Sequence, residues 1–295
     1  MQSSVDRSPW PLDRLALVKG AGDLASGVAH RLHCCGLRVV MTELNRPTMV
    51  RRSVSFGEAV YAHSQCVEGV MARLAANTEE AAGILACGEI AVMVDADAAQ
   101  ALALQPAVVV DAIMAKHNTG TRMADAPLVI GLGPGFTAGR DLHAVVETQR
   151  GLDLGRVIWK GAARQNTGMP APVKGYTIER LLRSPAEGVF TPAVKIGDIV
   201  RTGDVIGYVG NAPLRACIDG VLRGLLKGGL YAVKGFKMGD IEPGGDVRNC
   251  YKISDKARAV AGGVLEAILA FHHHRNNVPP LWGNAARASA GHDAD

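Results

Sequence analysis

The sequence predicts an α/β fold, a doubly wound and mostly parallel sheet followed by a smaller β domain, on three observations. Apolar strands alternate with helices through the first half, and a glycine loop joins the first strand to the first helix. After about residue 183 the texture changes to short strands broken by Gly-Asp turns. The first strand is Leu15 to Val18, ending at Lys19. From Asp23 to Cys35, Leu24, Val28, Ala29 and Leu32 recur at helical spacing, and Gly36 supplies the stop. A second strand, Leu37 to Thr42, ends at Glu43. Ser55 and Glu58 have the spacing of a capping box that starts a short helix through Val60, and Thr78 with Glu79 and Glu80 starts another ending at Gly88. Ile90 to Val94, Ala107 to Val110, Leu128 to Ile130 and Arg156 to Trp159 read as further short strands, and Asp255 to Phe271 as a last helix.

Composition sets the class. With 295 residues, 48% hydrophobic and 20% charged, the chain can bury a core large enough for two domains. The formal charge of +4 is scattered with no basic run that would follow a nucleic-acid backbone, so nucleic acid is not an expected partner. The six cysteines form no CxxC pair and no regular spacing, which argues against a zinc ribbon, an iron–sulfur site or a disulfide framework and fits a reducing cytoplasm. No signal-peptide core and no membrane-length apolar run is present, so the expectation is a soluble cytoplasmic protein with no membrane partner and no metal.

Gly20-Ala21-Gly22-Asp23-Leu24-Ala25 is a GxGxxA variant between a strand and a helix, the context in which glycines let a backbone approach a pyrophosphate. Glu43 ends the next strand about twenty residues on, where an acid would accept hydrogen bonds from a ribose. The expected first domain is therefore Rossmann-like. Two readings stay open, a nucleotide or phosphate site and a plain sharp turn, and Asp23 puts a carboxylate where a phosphate would come. A second loop, Gly131-Leu132-Gly133-Pro134-Gly135 through Gly139, either forms another anion nest or is a rigid turn packed on the first. His143 and Glu147 are expected four apart on one face of a helix beginning near Asp141, as two ligands or a solvated face. His30, His33 and Cys34 fall within one helical turn, most simply a structural face. Asn118-Thr119-Gly120 and Asn166-Thr167-Gly168 repeat one tripeptide suited to anion-gripping turns or to ordinary ones. Arg51 and Arg52 suit bidentate phosphate or carboxylate recognition, or surface salt bridges. There is no Gly-x-Ser-x-Gly elbow, no Walker lysine loop and no HExxH, which leaves hydrolase and phosphotransferase readings without support.

Beyond residue 183 the chain repeats itself at an offset of 32: Gly188-Val189-Phe190 matches Gly220-Val221-Leu222, Lys195 matches Lys227, and Gly197, Gly203 and Gly207 match Gly229, Gly235 and Gly239. Two interlocked halves follow, and the segment resembles the barrel-sandwich hybrid fold of biotinyl and lipoyl carriers. The hairpin between the halves, Asn211 to Arg215, has no lysine, so covalent biotin or lipoate is not expected. The expected division is a flexible arm at 1–13, a Rossmann-like nucleotide-binding domain at 14–183, the β domain at 184–254, a C-terminal helix at 255–272 and a disordered tail at 273–295.

Taken together, Val18 to Ala25 with Gly27 to Leu32, Met41-Thr42-Glu43 through Pro47 to Phe56 with Glu58-Ala59-Val60, Gly131 to Gly139 leading into His143 to Thr148, and Asn166-Thr167-Gly168 resemble the YqeB-type accessory proteins of selenium-dependent molybdenum hydroxylase systems. The likeness covers about residues 15–255. Gly244-Gly245 after Pro243 departs from it, where relatives are expected to carry an arginine. The resemblance implies a maturation role with a molybdenum hydroxylase as partner and a molybdopterin-type cofactor held by the glycine loops. The competing expectation is an NAD(P)-dependent oxidoreductase using Gly20, Gly22, Ala25 and Glu43. Either is compatible with a homo-oligomer.

Overall fold

The computed structural model describes residues 14–165 and 173–275. The expected arm, Asn166, Thr167 and the expected tail beyond residue 275 lie outside the described residues. The first part of the chain runs β1 (Leu15–Lys19), α1 (Asp23–Cys34), β2 (Arg38–Glu43), α2 (Ala59–Ala62), a hairpin of β3 (Ser64–Val67) and β4 (Val70–Ala75), α3 (Thr78–Ala86), β5 (Ile90–Val94), α4 (Ala99–Ala103), β6 (Val108–Asp111) and β7 (Leu128–Leu132). The short strands β8 (Thr137–Ala138), β9 (Ala144–Val146), β10 (Val157–Ile158) and β11 (Gly161–Ala162) follow. Nine of these strands form one sheet in the order β10-β9-β7-β6-β1-β2-β5-β4-β3. All neighbours from β9 to β4 pair in parallel, and only the edge strands β10 and β3 are antiparallel.

Each central strand is buried on both faces, as a parallel sheet between helix layers requires. Ala16, Val18, Val39 and Met41 join one core with α1, whereas Leu17 and Val40 turn to a second core under α3 and α4. The long last helix, α5 (Asp255–Arg275), returns to the first of these cores with Ala257, Val260, Ala261 and Val264. The α/β body is therefore closed by a helix that follows the β module in sequence.

Between β11 and α5 lies a β module of two four-stranded sheets. One has the order β12 (Leu181–Arg183), β19 (Lys237–Glu242), β17 (Gly220–Leu225), β14 (Ile199–Val200); the other has β16 (Ala212–Arg215), β15 (Val205–Val209), β13 (Gly188–Pro192), β18 (Tyr231–Ala232). The repeat at offset 32 becomes reciprocal bonding here. Gly197 N donates to Leu222 O and Gly229 N to Phe190 O, both at 2.8 Å. Gly203 N donates to Ala216 O and Gly235 N to Ser184 O, at 2.8 and 2.9 Å. Each half thus closes its turns on the other. Since β12 pairs with β19, the module takes in Leu181.

Three local expectations differ from the structure. Ser55 and Glu58 do not form a capping box: the Ser55 hydroxyl donates to Arg51 O, and Arg52 takes the Glu58 carboxylate at 2.8 Å. Two short 3-10 turns, Arg52–Val54 and Phe56–Glu58, replace the start of that helix. At α3 the cap is Asn77, one residue earlier than expected, whose Oδ1 accepts from Glu80 N at 2.9 Å. The helix expected near Asp141 is absent, because Ala144, Val145 and Val146 pair with β7 as β9; β-branched residues next to an open sheet edge favour that pairing.

Gly27 in α1 abuts α5 so closely that a Cβ there would come within 2.8 Å of the Ala257 Cβ, whereas nothing lies within 4 Å of a Cβ on Gly262. Gly27→Val is therefore expected to lose about 1–3 kcal/mol by overpacking, and Gly262→Ala to gain about 0.5–1 kcal/mol from helix propensity. Denaturant midpoints of the two variants check the pair; equal effects would contradict the α1–α5 packing.

Candidate functional site

Parallel pairing brings the carboxyl ends of β1, β2, β5 and β6 to one edge of the sheet. The chain leaves β5 on one flank of β1 and begins β6 on the other, and such a switch opens a crevice outside the strand ends. The β module stands over this crevice. The result is a cleft with two lobes that share Asp23, Arg51, Arg223, Lys237 and Asp240.

The first lobe, about 650 Å³, is lined by Gly20, Gly22, Asp23, Ala25 and Glu43 together with apolar side chains such as Leu24, Met49, Ile113, Met114 and Phe236. The two glycines of the loop serve different ends. Gly20 has φ +90° and packs on the end of β6, where a Cβ would come within 3.1 Å of Ala112 O, so the fold itself demands glycine. Gly22 caps α1 with an ordinary φ of −76°, and the nearest atom to a Cβ there, on Met49, is 3.9 Å away. The Glu43 carboxylate is turned back on the loop: it accepts from Ala21 N at 2.9 Å and from Leu44 N at 2.8 Å. Asp23 is the first residue of α1, where its charge complements the helix dipole.

Arg51 locks this corner. It is 5% exposed, and one guanidinium nitrogen lies 3.2 Å from both Asp23 oxygens while the other donates to Asn249 O and Lys252 O, each at 2.9 Å. Arg52 Nε donates to Leu225 O of β17, and Leu225 N donates to Val50 O. The two arginines singled out by the sequence are thus the joint between the α/β body and the β module, which accounts for their adjacency without an exogenous anion.

The second lobe, about 740 Å³, is lined by nine lysine or arginine side chains and by only two carboxylates, Asp23 and Asp240. Asp240 is buried and shared: it is 3.5 Å from Arg180 and in a close ion pair with Arg223. Burial would raise its pKa, but Arg223 and Lys237 outweigh that and hold it below the usual carboxylate range. Burial, reinforced by Arg223, pushes the Arg180 guanidinium down. Burial also lowers the half-buried Lys256, aided by Arg150. A cation-rich concavity of this kind stabilises bound anions.

Of the other expected site residues, Gly131, Gly133 and Gly135 do not line either lobe. A Cβ on Gly131 would overlap Leu142 and Phe136, one on Gly133 would overlap the Thr148 hydroxyl, and one on Gly135 would come within 2.7 Å of His117 N. Their loop is a packing device that sets Thr148 and Lys116 at the rim of the basic lobe. Asn118 forms an Asx turn, its Oδ1 accepting from Gly120 N and Thr121 N at 2.9 and 2.8 Å, and this places Thr119 in the first lobe. Beneath it Lys19 donates to the Thr121 hydroxyl, which donates to Asp111, each at 2.6 Å, a buried chain that fixes the loop after β6.

His143 and Glu147 share no helix face. They flank β9, where His143 Nδ1 accepts from Val129 N at 3.0 Å and the buried Glu147 carboxylate accepts from Thr148 N, Gln149 N and Arg164 N at 2.7–2.8 Å. His30, His33 and Cys34 line neither lobe. Among the described residues no three His, Cys, Asp or Glu come together to hold a metal, and no helix is long and apolar enough to cross a membrane. Sequence reasoning missed Arg180, Arg223, Lys237 and Lys256; they come from the turn before β12, from β17, from β19 and from α5, and no local signal joins them.

Over 260 residues, 88% of its length, the chain is 49% identical to the uncharacterized protein YqeB of Escherichia coli strain K12. The chain is a YqeB-like homologue. It spans 48% of that protein's length, about half of the curated relative it matches. No family model matches the chain. Among solved structures, the product-bound ectoine utilization protein EutE (DoeB) from Ruegeria pomeroyi is 14% identical, with 78% of this chain and 85% of that chain covered and a TM-score of 0.23. An aspartoacylase family protein from Mesorhizobium loti is 14% identical, with 78% and 84% covered and a TM-score of 0.24. Likenesses this distant say nothing of the chemistry of the YqeB-like chain.

Two outcomes are expected from the corner residues. Arg51→Leu strands two carbonyls and the Asp23 charge and is expected to cost about 3 kcal/mol or more; Arg51→Lys recovers little of it, because an ammonium cannot fork across the same acceptors. Chemical denaturation checks both, and a loss below about 1 kcal/mol in Arg51→Leu would contradict the joint. The Arg150–Asp255 pair, at 2.6 and 2.7 Å, holds the Asp255 carboxyl at about 2. A depressed aspartate stabilises the fold above its unfolded pKa near ~4 and loses that contribution as pH falls through the folded value. Asp255 is largely exposed, so the effect is under about 1 kcal/mol. The gap in urea midpoint between wild type and Asp255→Asn is expected to be present at pH 6 and to close toward pH 2.

Proposed function

We propose that this chain is an accessory protein that holds a phosphate-bearing, ring-containing cofactor, of molybdopterin type or a nucleotide, during maturation of a selenium-dependent molybdenum hydroxylase. The observation that carries the reading is the cleft at the carboxyl edge of the parallel sheet, with an apolar lobe against the Gly20–Ala25 loop and a basic lobe of nine cations beside it. Such a site recognises a ligand by shape on one side and by charge on the other. The selenium and molybdenum link rests on the sequence resemblance of the glycine loops and of the Arg51–Phe56 segment. The α/β body, taken as Rossmann-like, supplies the ligand crevice; the β module, taken as a barrel-sandwich hybrid without a lysine on its Asn211–Arg215 hairpin, docks the target enzyme and carries no covalent biotin or lipoate.

An NAD(P)-dependent oxidoreductase is the second reading, and Glu43 at the end of β2 in the first lobe favours it. Its weakness is that both Glu43 oxygens already accept backbone N–H groups. Native mass spectrometry of the chain, purified gently from a host with an intact molybdenum pathway, decides between them. Release of a molybdopterin or its cytidine form is the expected result, whereas NAD or NADP would replace the maturation reading with the oxidoreductase.

A further inference from the structure

Resting on the reading that the cleft takes a phosphate-bearing ligand, we infer that the ligand lies with its ring in the lobe beside the glycine loop and its phosphates in the basic lobe, against Lys237, Lys256 and Arg180, and not on the loop itself. The ligand class is then a phosphomonoester or diphosphate of an uncharged heterocycle, bound in the reverse sense to a dinucleotide on a glycine fingerprint.

The loop is poorly placed to take the phosphates. Gly20 N donates to Thr42 O at 2.8 Å and Ala21 N donates to Glu43, so the first donors of the fingerprint are already committed to β2. The Asp23 carboxylate occupies the first turn of α1, where an incoming phosphate would meet a like charge. Arg51 does not free that place, because its guanidinium is divided between Asp23 and two carbonyls of the chain. What the loop does offer is an uncrowded backbone: nothing comes nearer than 3.9 Å to a Cβ on Gly22, and Leu24, Met49, Ile113 and Met114 line the same lobe as apolar surface for a flat ring.

The basic lobe has the opposite character. Arg180 is 9% exposed and its Nε is buried without a hydrogen-bond partner, while its guanidinium reaches Asp240 only at 3.5 Å. Asp240 is held more closely by Arg223, which also lies 3.8 Å from Glu242. The side chains of Lys237, exposed, and Lys256, half-buried, line the lobe and form neither an ion pair nor a hydrogen bond among the described residues. The orphaned Arg180 nitrogen lacks an acceptor, and Lys237 and Lys256 crowd like charges against Arg223 and Arg150; a phosphate presents enough acceptor oxygens to complete the one and relieve the others. Lys237 also borders the ring lobe, so one ligand can span both.

Titration calorimetry of the full chain with inorganic pyrophosphate at low salt tests the placement. Wild type is expected to bind, with Lys237→Gln and Lys256→Gln each at least about tenfold weaker. Gly22→Ala, which the backbone accommodates, is expected to leave pyrophosphate affinity within about twofold, since the probe has no ring to displace. Near-normal affinity in both lysine variants with loss in Gly22→Ala would overturn the placement while leaving a phosphate-binding cleft. No pyrophosphate binding by wild type would overturn the placement and the cleft's phosphate role together, and the mass-spectrometric result on the co-purified molecule then stands as the separate test of the maturation reading. Circular dichroism melts of the three variants confirm that each is folded, so that a loss of binding reads on the site.

Discussion

The geometry of the cleft depends on where Arg51 puts its charge. Its guanidinium joins the start of α1, through Asp23, to the carbonyls of Asn249 and Lys252 in the segment that leads from the β module into α5. With Arg52 on Leu225 O and Leu225 N on Val50 O, one short stretch of chain fastens the two parts together. A buried arginine is expensive to desolvate, and it is tolerated here because four acceptors meet it at once. Arg51 thereby ties the start of α1, which both lobes share through Asp23, to the segment entering α5.

Charge in the cleft is arranged by how far each cation is satisfied. Arg51, Arg150 and Arg164 are paired with Asp23, Asp255 and Asp153, and they shape the walls. Arg180 and Arg223 compete for Asp240, which leaves more positive charge than the lobe's own carboxylates can match. Lys237 and Lys256 add two further cations to the same wall. A site left short of negative charge in this way gains most from a multiply charged ligand, since each added anionic oxygen relieves several like-charge contacts together.

The sequence made much of the α/β body legible, because buried parallel strands read as apolar runs and their helices as amphipathic repeats. Ile90–Val94 is the strand the pattern describes, and the offset-32 glycines surface as reciprocal backbone bonds. Local chemistry misled where a tertiary partner won. Glu58 has capping-box spacing but goes to Arg52, and His143 and Glu147 have the spacing of a helix face yet flank strand β9. The β3–β4 hairpin went unread although Glu68-Gly69, both at positive φ, is the two-residue turn such a hairpin needs. The basic lobe was the least legible part. Its cations come from Arg51 to Lys256, far apart in the chain, and nothing local in Arg180 or Lys237 announces that folding will bring them to one wall.

The account turns on where a phosphate-like anion comes to rest. Tungstate, a tetrahedral oxyanion with a strong anomalous signal, soaked into crystals of the full chain locates that place directly. A peak among Lys237, Lys256 and Arg180, with nothing over the start of α1, is the result the account predicts. A peak on the backbone amides of Gly22 to Leu24 with the basic lobe empty would contradict it.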